Sequence, residues 1–290
     1  MTMFLSNLIS GISLGSVYAI IALGYTMVYG IAKMLNFAHG DIIMVGGYLI
    51  FVSMATNNPL LAVQIAVVGC VILGIVIEKV AYKPLRGASP LAVLITAIGV
   101  SYLLQSLAQI IFGSAPKMVT VYEFGANQFQ GVSVQVSALV PLAVTIVVMA
   151  ALTTFVKCTR IGRAMIAVSE DKAAAQLMGI NVDGIITITF AIGSALAAFA
   201  GMFYLLQIPN AEPTLGAMPG IKAFTAAVVG GIGSIPGAML GGILLGVIEK
   251  ICLSIPALAP YTTSLEFSLL IVILLVRPTG ILGKKRREKV

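Results

Sequence analysis

The sequence predicts an all-α fold: a polytopic membrane helix bundle of about eight hydrophobic segments with one or more broken or re-entrant helices. Three observations carry this. Of the 290 residues, 59% are hydrophobic and 9% are charged, against roughly 25% charge in a soluble domain. Mean hydropathy is +1.09, so the apolar excess runs the length of the chain. Apolar runs of about twenty residues recur, the length that crosses a hydrocarbon core ~30 Å thick. One soluble core of this size could not hide so many apolar side chains from water, and the same excess excludes disorder. Nucleic acid is excluded as a partner because the net charge of +7 is not spread over a face: 13 of the 17 Lys and Arg lie in three short stretches. Cys70, Cys158 and Cys252 are far apart and form no CxxC, so they imply neither a disulfide framework nor a zinc site.

In order, the segments cover residues 5–31, 37–55, 60–77, 91–112, 136–156, 185–208, 221–253 and 262–276. The first is no removable signal peptide: no basic residue precedes Lys33, and its apolar length exceeds the usual ~7 to 15 residues. Lys and Arg in short loops stay on the cytoplasmic side. Lys79, Lys83 and Arg86 follow the third segment, Lys157, Arg160, Arg163 and Lys172 follow the fifth, and Arg277, Lys284, Lys285, Arg286, Arg287 and Lys289 end the chain. Those stretches read as cytoplasmic, including the C-terminus, while the loops at 116–135 and 207–220 read as external. Three full spans before Lys79 place the N-terminus outside; a re-entrant first or second segment places it inside. The expected organisation is one transmembrane domain over 1–283, with a cytoplasmic loop at 157–184, and a basic cytoplasmic tail at 284–290.

A chain that is inside at Lys172 and again at Arg277 crosses an even number of times, yet three segments lie between them. The seventh would make one helix ~50 Å long, and Gly230-Gly231-Ile232-Gly233-Ser234-Ile235-Pro236-Gly237 interrupts it. It therefore splits into two half-helices that enter from outside, turn at this stretch and leave again; the alternative is a kinked helix to which the charge rule does not apply. Bare backbone at membrane depth is tolerable where protein or a water-filled cavity covers it, and such breaks mark transport pathways. Gly231, Gly233, Ser234, Pro236 and Gly237 are accordingly pathway or broken-helix candidates. The four-residue spacing of Gly233, Gly237 and Gly241, of Gly242 and Gly246, of Gly11 and Gly15, and of Gly193, Ala197 and Gly201 predicts close helix packing. The glycine run lacks the strand, spacing and acid of a dinucleotide site.

The break at 33–41 holds the only histidine, and ionisable groups near membrane depth are functional suspects. Asn36 is expected to cap the second helix, and Asp41 near its positive end is favoured by the dipole. Asn36, His39 and Asp41 are candidates for structural or pathway-lining roles. A lone His makes neither a metal site nor, without a nucleophile, a hydrolase. The loop at 157–184 reads as holding a short helix, with Ser169 as N-cap, Glu170 and Asp171 at its positive end, and Gly179 as a left-handed stop. Ala173, Ala174, Leu177 and Met178 share one face, a knob for a socket on another protein; the alternative is a helix lying on the lipid surface.

The run from Gly15-Ser16-Val17-Tyr18 through Gly24-Tyr25-Thr26-Met27-Val28-Tyr29-Gly30, followed by Asn36-Phe37-Ala38-His39-Gly40-Asp41, resembles the branched-chain amino acid ABC transporter permeases of bacteria, specifically the LivH type. Arg160-Ile161-Gly162-Arg163-Ala164, Gly179-Ile180-Asn181, Lys222-Ala223-Phe224 and Arg277-Pro278-Thr279-Gly280-Ile281-Leu282-Gly283 extend the match along the chain. The resemblance implies a permease half-channel in the bacterial cytoplasmic (inner) membrane. Its implied partners are a second homologous permease, two cytoplasmic ABC ATPases and an external or periplasmic substrate-binding protein for leucine, isoleucine and valine. It also implies that the coupling helix falls on 170–179, with Glu170, Asp171, Ala173, Ala174, Leu177 and Gly179 as ATPase-coupling residues. The match is partial there, since Asp171 and Lys172 separate Glu170 from the alanines.

This chain has no GxxxxGK[ST] loop to cradle phosphates, so it is not expected to be an enzyme and no cofactor is expected in it; ATP and Mg belong to the partner subunits. Permeases for urea or short amides look similar at this level. An ion-coupled carrier would need intramembrane acids, and Asp41, Glu78, Glu249 and Glu266 all sit near segment ends. A membrane-embedded hydrolase fails because Ser234 has no identifiable base.

Overall fold

In the computed structural model, residues 2–119, 126–129 and 132–283 are described; the tail expected at 284–290 lies outside them. Eleven α-helices are present among the described residues: α1 (Thr2–Ala32), α2 (His39–Ser53), α3 (Pro59–Ile77), α4 (Pro90–Phe112), α5 (Val136–Cys158), α6 (Arg160–Glu170), α7 (Lys172–Leu177), α8 (Val182–Gln207), α9 (Ala217–Gly230), α10 (Ile235–Ser254) and α11 (Thr262–Val276). Among the described residues eight helices are long and apolar enough to cross a membrane, so the polytopic helical bundle is as expected. The loops at 116–135 and 207–220 carry short strands that hydrophobicity did not announce. β1 (Lys117–Met118) pairs antiparallel with β4 (Asn210–Ala211), and β2 (Ala126–Phe129) with β3 (Val132–Gln135).

The chain divides into two compact units. One comprises residues 1–26, 123–150 and 222–290, the other residues 27–122 and 151–221.

In the first unit, glycines set the packing. A Cβ on Gly15 would lie 2.7 Å from the Cα of Ile243, and one on Gly11 2.9 Å from the Cα of Val247. Side chains of any size would force α1 and α10 apart, and without a hydrophobic driving force in lipid such backbone approach is the main source of cohesion. Gly15→Leu is therefore expected to remove the protein from the membrane fraction or lower its melting temperature by several degrees; Gly15→Ala should do so less.

The expected break in the seventh segment is present, but the two pieces are unequal. α9 has 14 residues and α10 has 20, about 21 and 30 Å. Gly231 and Gly233 take positive φ of 105° and 91°, a conformation that a side chain makes costly. The turn does not stand alone. Ile281 N–H donates to the carbonyl of Val229 at 2.9 Å and Leu282 N–H to that of Gly230 at 3.0 Å, so the strand of chain after α11 satisfies the last carbonyls of α9. The turn thus lies at the Arg277 end of α11, with the 14-residue α9 leading into it.

In the second unit, α2, α3 and α8 pack on one another. Gly201 brings α8 close enough that a Cβ there would stand 2.8 Å from the carbonyl oxygen of Ile43, and Gly46 faces Ala198. Met44, Tyr48, Ala66, Leu205 and Leu215 are buried around this contact, and Tyr48 stacks on Phe112 with ring centroids 4.3 Å apart. The opposite faces of α3 and α4 expose Leu60, Val68, Ile72, Ile95, Leu103 and Ile110, as lipid-facing helices do.

Candidate functional site

The segment from Thr159 to Asn181 lies in the second unit and is built by three side-chain caps. Thr159 ends α5 and starts α6: its hydroxyl donates to the carbonyl of Phe155 at 2.7 Å and accepts from Gly162 N–H at 2.9 Å. Gly162 leaves no room for a side chain at that corner, where a Cβ would lie 2.5 Å from the Cα of Val156. α6 is amphipathic, burying Gly162, Met165 and Val168 and packing on α8.

Asp171 then breaks the helix. Its carboxylate accepts from the N–H groups of Ala173 and Ala174 at 2.9 and 3.0 Å, so Asp171, not Ser169, is the N-cap of the six-residue α7. Ser169 instead donates to the carbonyl of Ile166 within α6, and Glu170 is the last residue of that helix. Residues 160–170 have a helical apolar repeat of their own, so the loop holds two helices where one is expected. The short helix stops as expected: Gly179 has φ of 80°, and Ile180 N–H reaches back to the carbonyl of Ala175 at 3.0 Å, the 6→1 bond of a Schellman ending. Asn181 caps α8 by accepting from Gly184 N–H at 3.0 Å. Gly179→Ala is expected to cost about 1–2 kcal/mol locally, read as faster amide exchange in α7 with the rest of the protein unchanged.

This architecture buries Ala175 and leaves Ala173, Ala174, Leu177 and Met178 outside, the last two 89% and 82% exposed. Of the residues singled out for this loop, Glu170, Asp171, Ala173, Ala174, Leu177 and Gly179 are all exposed.

The loop is anchored by a network that sequence spacing does not reveal. Arg86 is paired with both Asp183, in the first turn of α8, and Glu78, which is fully buried. Lys83 pairs with Asp183 at 3.0 Å, and the Thr187 hydroxyl donates to Glu78 at 2.8 Å. Lys172 donates to the carbonyl of Ala32 at 2.7 Å. Burial pushes the Lys172 ammonium below its ordinary pKa, and the Arg86 charge adds to this. Glu78 opens a π-helical turn, Glu78–Tyr82. At its other end the buried Tyr82 donates to the Asn36 side-chain oxygen at 2.9 Å and tilts against Phe190. Packing and hydrogen bonds thus run without a gap from the start of α8 to the break at 33–38.

Asn36 therefore does not cap α2 as expected. Its side chain accepts from Tyr82, while Ala38 holds the N-cap position with no side-chain bond. Asp41 does stand in the first turn of α2, held by the Gln105 amide at 2.9 Å, and Asn36, His39 and Asp41 are all buried. The remaining candidates lie in the first unit and hold its turn. Ser234 caps α10 by accepting from Gly237 N–H at 3.2 Å, Pro236 sits in the first turn, and Gly237 faces Gly230. The first unit also gathers a cluster the sequence dispersed: Lys222 lies 2.7 Å from Glu249 and 3.2 Å from Glu266, and the Tyr18 hydroxyl donates to Glu249 at 2.8 Å. Glu249 and Glu266, read as acids near segment ends, share one lysine because α9, α10 and α11 stand side by side.

Comparison with known proteins agrees with the architecture. The profile of the family described as "Branched-chain amino acid transport system / permease component" matches residues 7–276. The chain is similar to the high-affinity branched-chain amino acid transport system permease protein BraD of Pseudomonas aeruginosa, 44% identical over 99% of this chain and 98% of that protein. It is similar to the LivH permease protein of the same description from Escherichia coli K12, 43% identical over the same shares. It also resembles a probable branched-chain amino acid transport permease protein LivH of Methanocaldococcus jannaschii, 30% identical over 91% of this chain and 88% of that one. With eight helices able to cross a membrane and near full-length identity of this order, the chain is a multi-pass membrane protein that belongs to the branched-chain amino acid transport system permease family.

Proposed function

We propose that this permease carries leucine, isoleucine and valine inward across the bacterial cytoplasmic membrane, as one half of a pathway completed by a second homologous permease. Two ABC ATPases that hold ATP and Mg work the pathway from the cytoplasm, and an external binding protein delivers the cargo. The observation that carries this reading is the loop at 159–181. A capped stub helix with Leu177 and Met178 turned outward suits docking into a partner's socket, and Arg86 ties the next helix to the bundle. ATP-driven closure of the ATPases would move α7, and through Asp183, Arg86, Glu78 and Tyr82 the movement would reach Asn36. Coupling of this kind needs a contiguous element with two arrangements, and this unit's packing supplies the contiguity. The related urea or amide function is not favoured, since the relatives named above carry branched-chain names.

The experiment is uptake in vesicles holding the full complex. Leucine accumulation should require ATP on the ATPase side and the binding protein on the other, and should survive an ionophore. Collapse with the ionophore alone would indicate an ion-coupled carrier instead. Cysteines at Ala174 or Leu177 should cross-link to the ATPase; failure in an active complex would place docking elsewhere.

A further inference from the structure

We propose that the half-open cavity between α7 and the start of α8 binds a free aliphatic α-amino acid from the cytoplasm, and that its occupancy restrains ATP-driven uptake. This rests on the transport reading above for the side of the membrane and for the role of α7, and takes the ligand's chemistry from the cavity itself.

The cavity measures about 490 Å³, and its lining meets the three demands of such a ligand. Lys172 and Arg86 supply positive charge for the carboxylate. Arg86 is already paired with Glu78 and Asp183, whereas among the described residues Lys172 makes no ion pair and donates only to the Ala32 carbonyl. Lys83, Arg86 and Lys172 are thus three cations around two carboxylates, so positive charge is left over at the Lys172 side to face the carboxylate end of a zwitterion. The Asp183 side chain, 54% exposed, keeps acceptor capacity beyond Lys83 and Arg86 for the ligand's ammonium. Ile180, Val182 and Ile186 form an apolar wall for the aliphatic side chain.

The consequence follows from who contributes the lining. Lys172 and Gln176 belong to α7, Val182, Asp183 and Ile186 to α8. A ligand touching both braces α7 against α8 while Leu177 and Met178 point the other way. Whichever arrangement of α7 keeps the cavity closed around the ligand is then favoured by the ligand's differential affinity. Uptake would slow as the imported amino acid accumulates behind the gate.

The test uses the full complex in nanodiscs with saturated binding protein. Adding leucine beyond that saturation should lower ATP hydrolysis several-fold. In Lys172→Gln the leucine concentration giving half inhibition should rise at least about tenfold, a loss of about 1.4 kcal/mol. Val182→Trp, which fills the cavity and keeps every charge, should do the same, so a folding defect in one variant does not decide the matter. 4-Methylpentanoate, which lacks the ammonium, and 3-methylbutylamine, which lacks the carboxylate, should not inhibit. Equal inhibition by 4-methylpentanoate or inorganic phosphate would make the cavity a plain anion site and overturn the amino-acid assignment. Unchanged leucine inhibition in both variants, or none in the wild type, would overturn the proposal while leaving ATP-dependent leucine uptake intact; absence of that uptake would instead overturn the transport reading.

Discussion

Leu177→Asp is expected to abolish leucine uptake and the ATP hydrolysis coupled to it, while the permease reaches the membrane at its normal level. The side chain is 89% exposed at the end of α7, so its loss changes the fold of this chain by no more than about 0.5 kcal/mol. As a docking anchor buried by the ATPase it would be worth about 2 kcal/mol or more, and a buried unpaired carboxylate worsens the loss. That is at least a thirtyfold weakening at about 1.4 kcal/mol per decade. Met178→Asp, next to it and 82% exposed, should behave alike, because both project from the same capped stub. Co-purification of the ATPases with the permease separates lost docking from a blocked pathway. If both variants retain the ATPases and transport at the wild-type rate, α7 is not the coupling element.

The location of the short helix α7 is legible in the chain because its ingredients are local. Acids at the positive end, three alanines and a glycine that turns left-handed point to a short helix, and Gly179 does adopt that turn. The eight spans were legible for a similar reason: apolar length is a one-dimensional property. The N-cap was misplaced by two residues because Ser169 and Asp171 are both good caps. The choice between them depends on whether residues 160–170 are helical, which their burial against α8 decides.

What the chain could not disclose is the long-range pairing. Arg86 and Asp183 are 97 residues apart, and Tyr82 and Asn36 46. Arg86 read only as a topology signal, one positive charge among several in a short loop, whereas in the structure it binds the buried Glu78 and the start of α8 together. Locally, an asparagine just before a helix, as Asn36 is, reads as its cap. A tyrosine hydroxyl arriving from a π-helical turn elsewhere took that oxygen instead.

Lys222→Met is expected to destabilise the first unit by about 3–5 kcal/mol, the cost of breaking a buried ion pair from one side. The Lys222 side chain is 9% exposed, Glu249 13% and Glu266 1%, so its removal leaves two carboxylates with little water to share. The lysine also stands over the Tyr18 ring at 5.9 Å, so α1 loses a contact with α9 as well, while the Tyr18 hydroxyl keeps its bond to Glu249. The variant should be scarce in membranes or melt far below the wild type. The triple change Lys222→Met, Glu249→Gln and Glu266→Gln should recover most of that stability, because deleting every charge of a buried cluster is often neutral where deleting one is not. Transport by the triple variant then separates two roles that stability alone cannot. Wild-type uptake means the cluster does no more than hold α9, α10 and α11 in register. A stable but inactive triple variant means that the charges themselves are exchanged as the pathway opens, since uncharged residues of similar volume would hold the helices yet offer no second arrangement of ion pairs to move between.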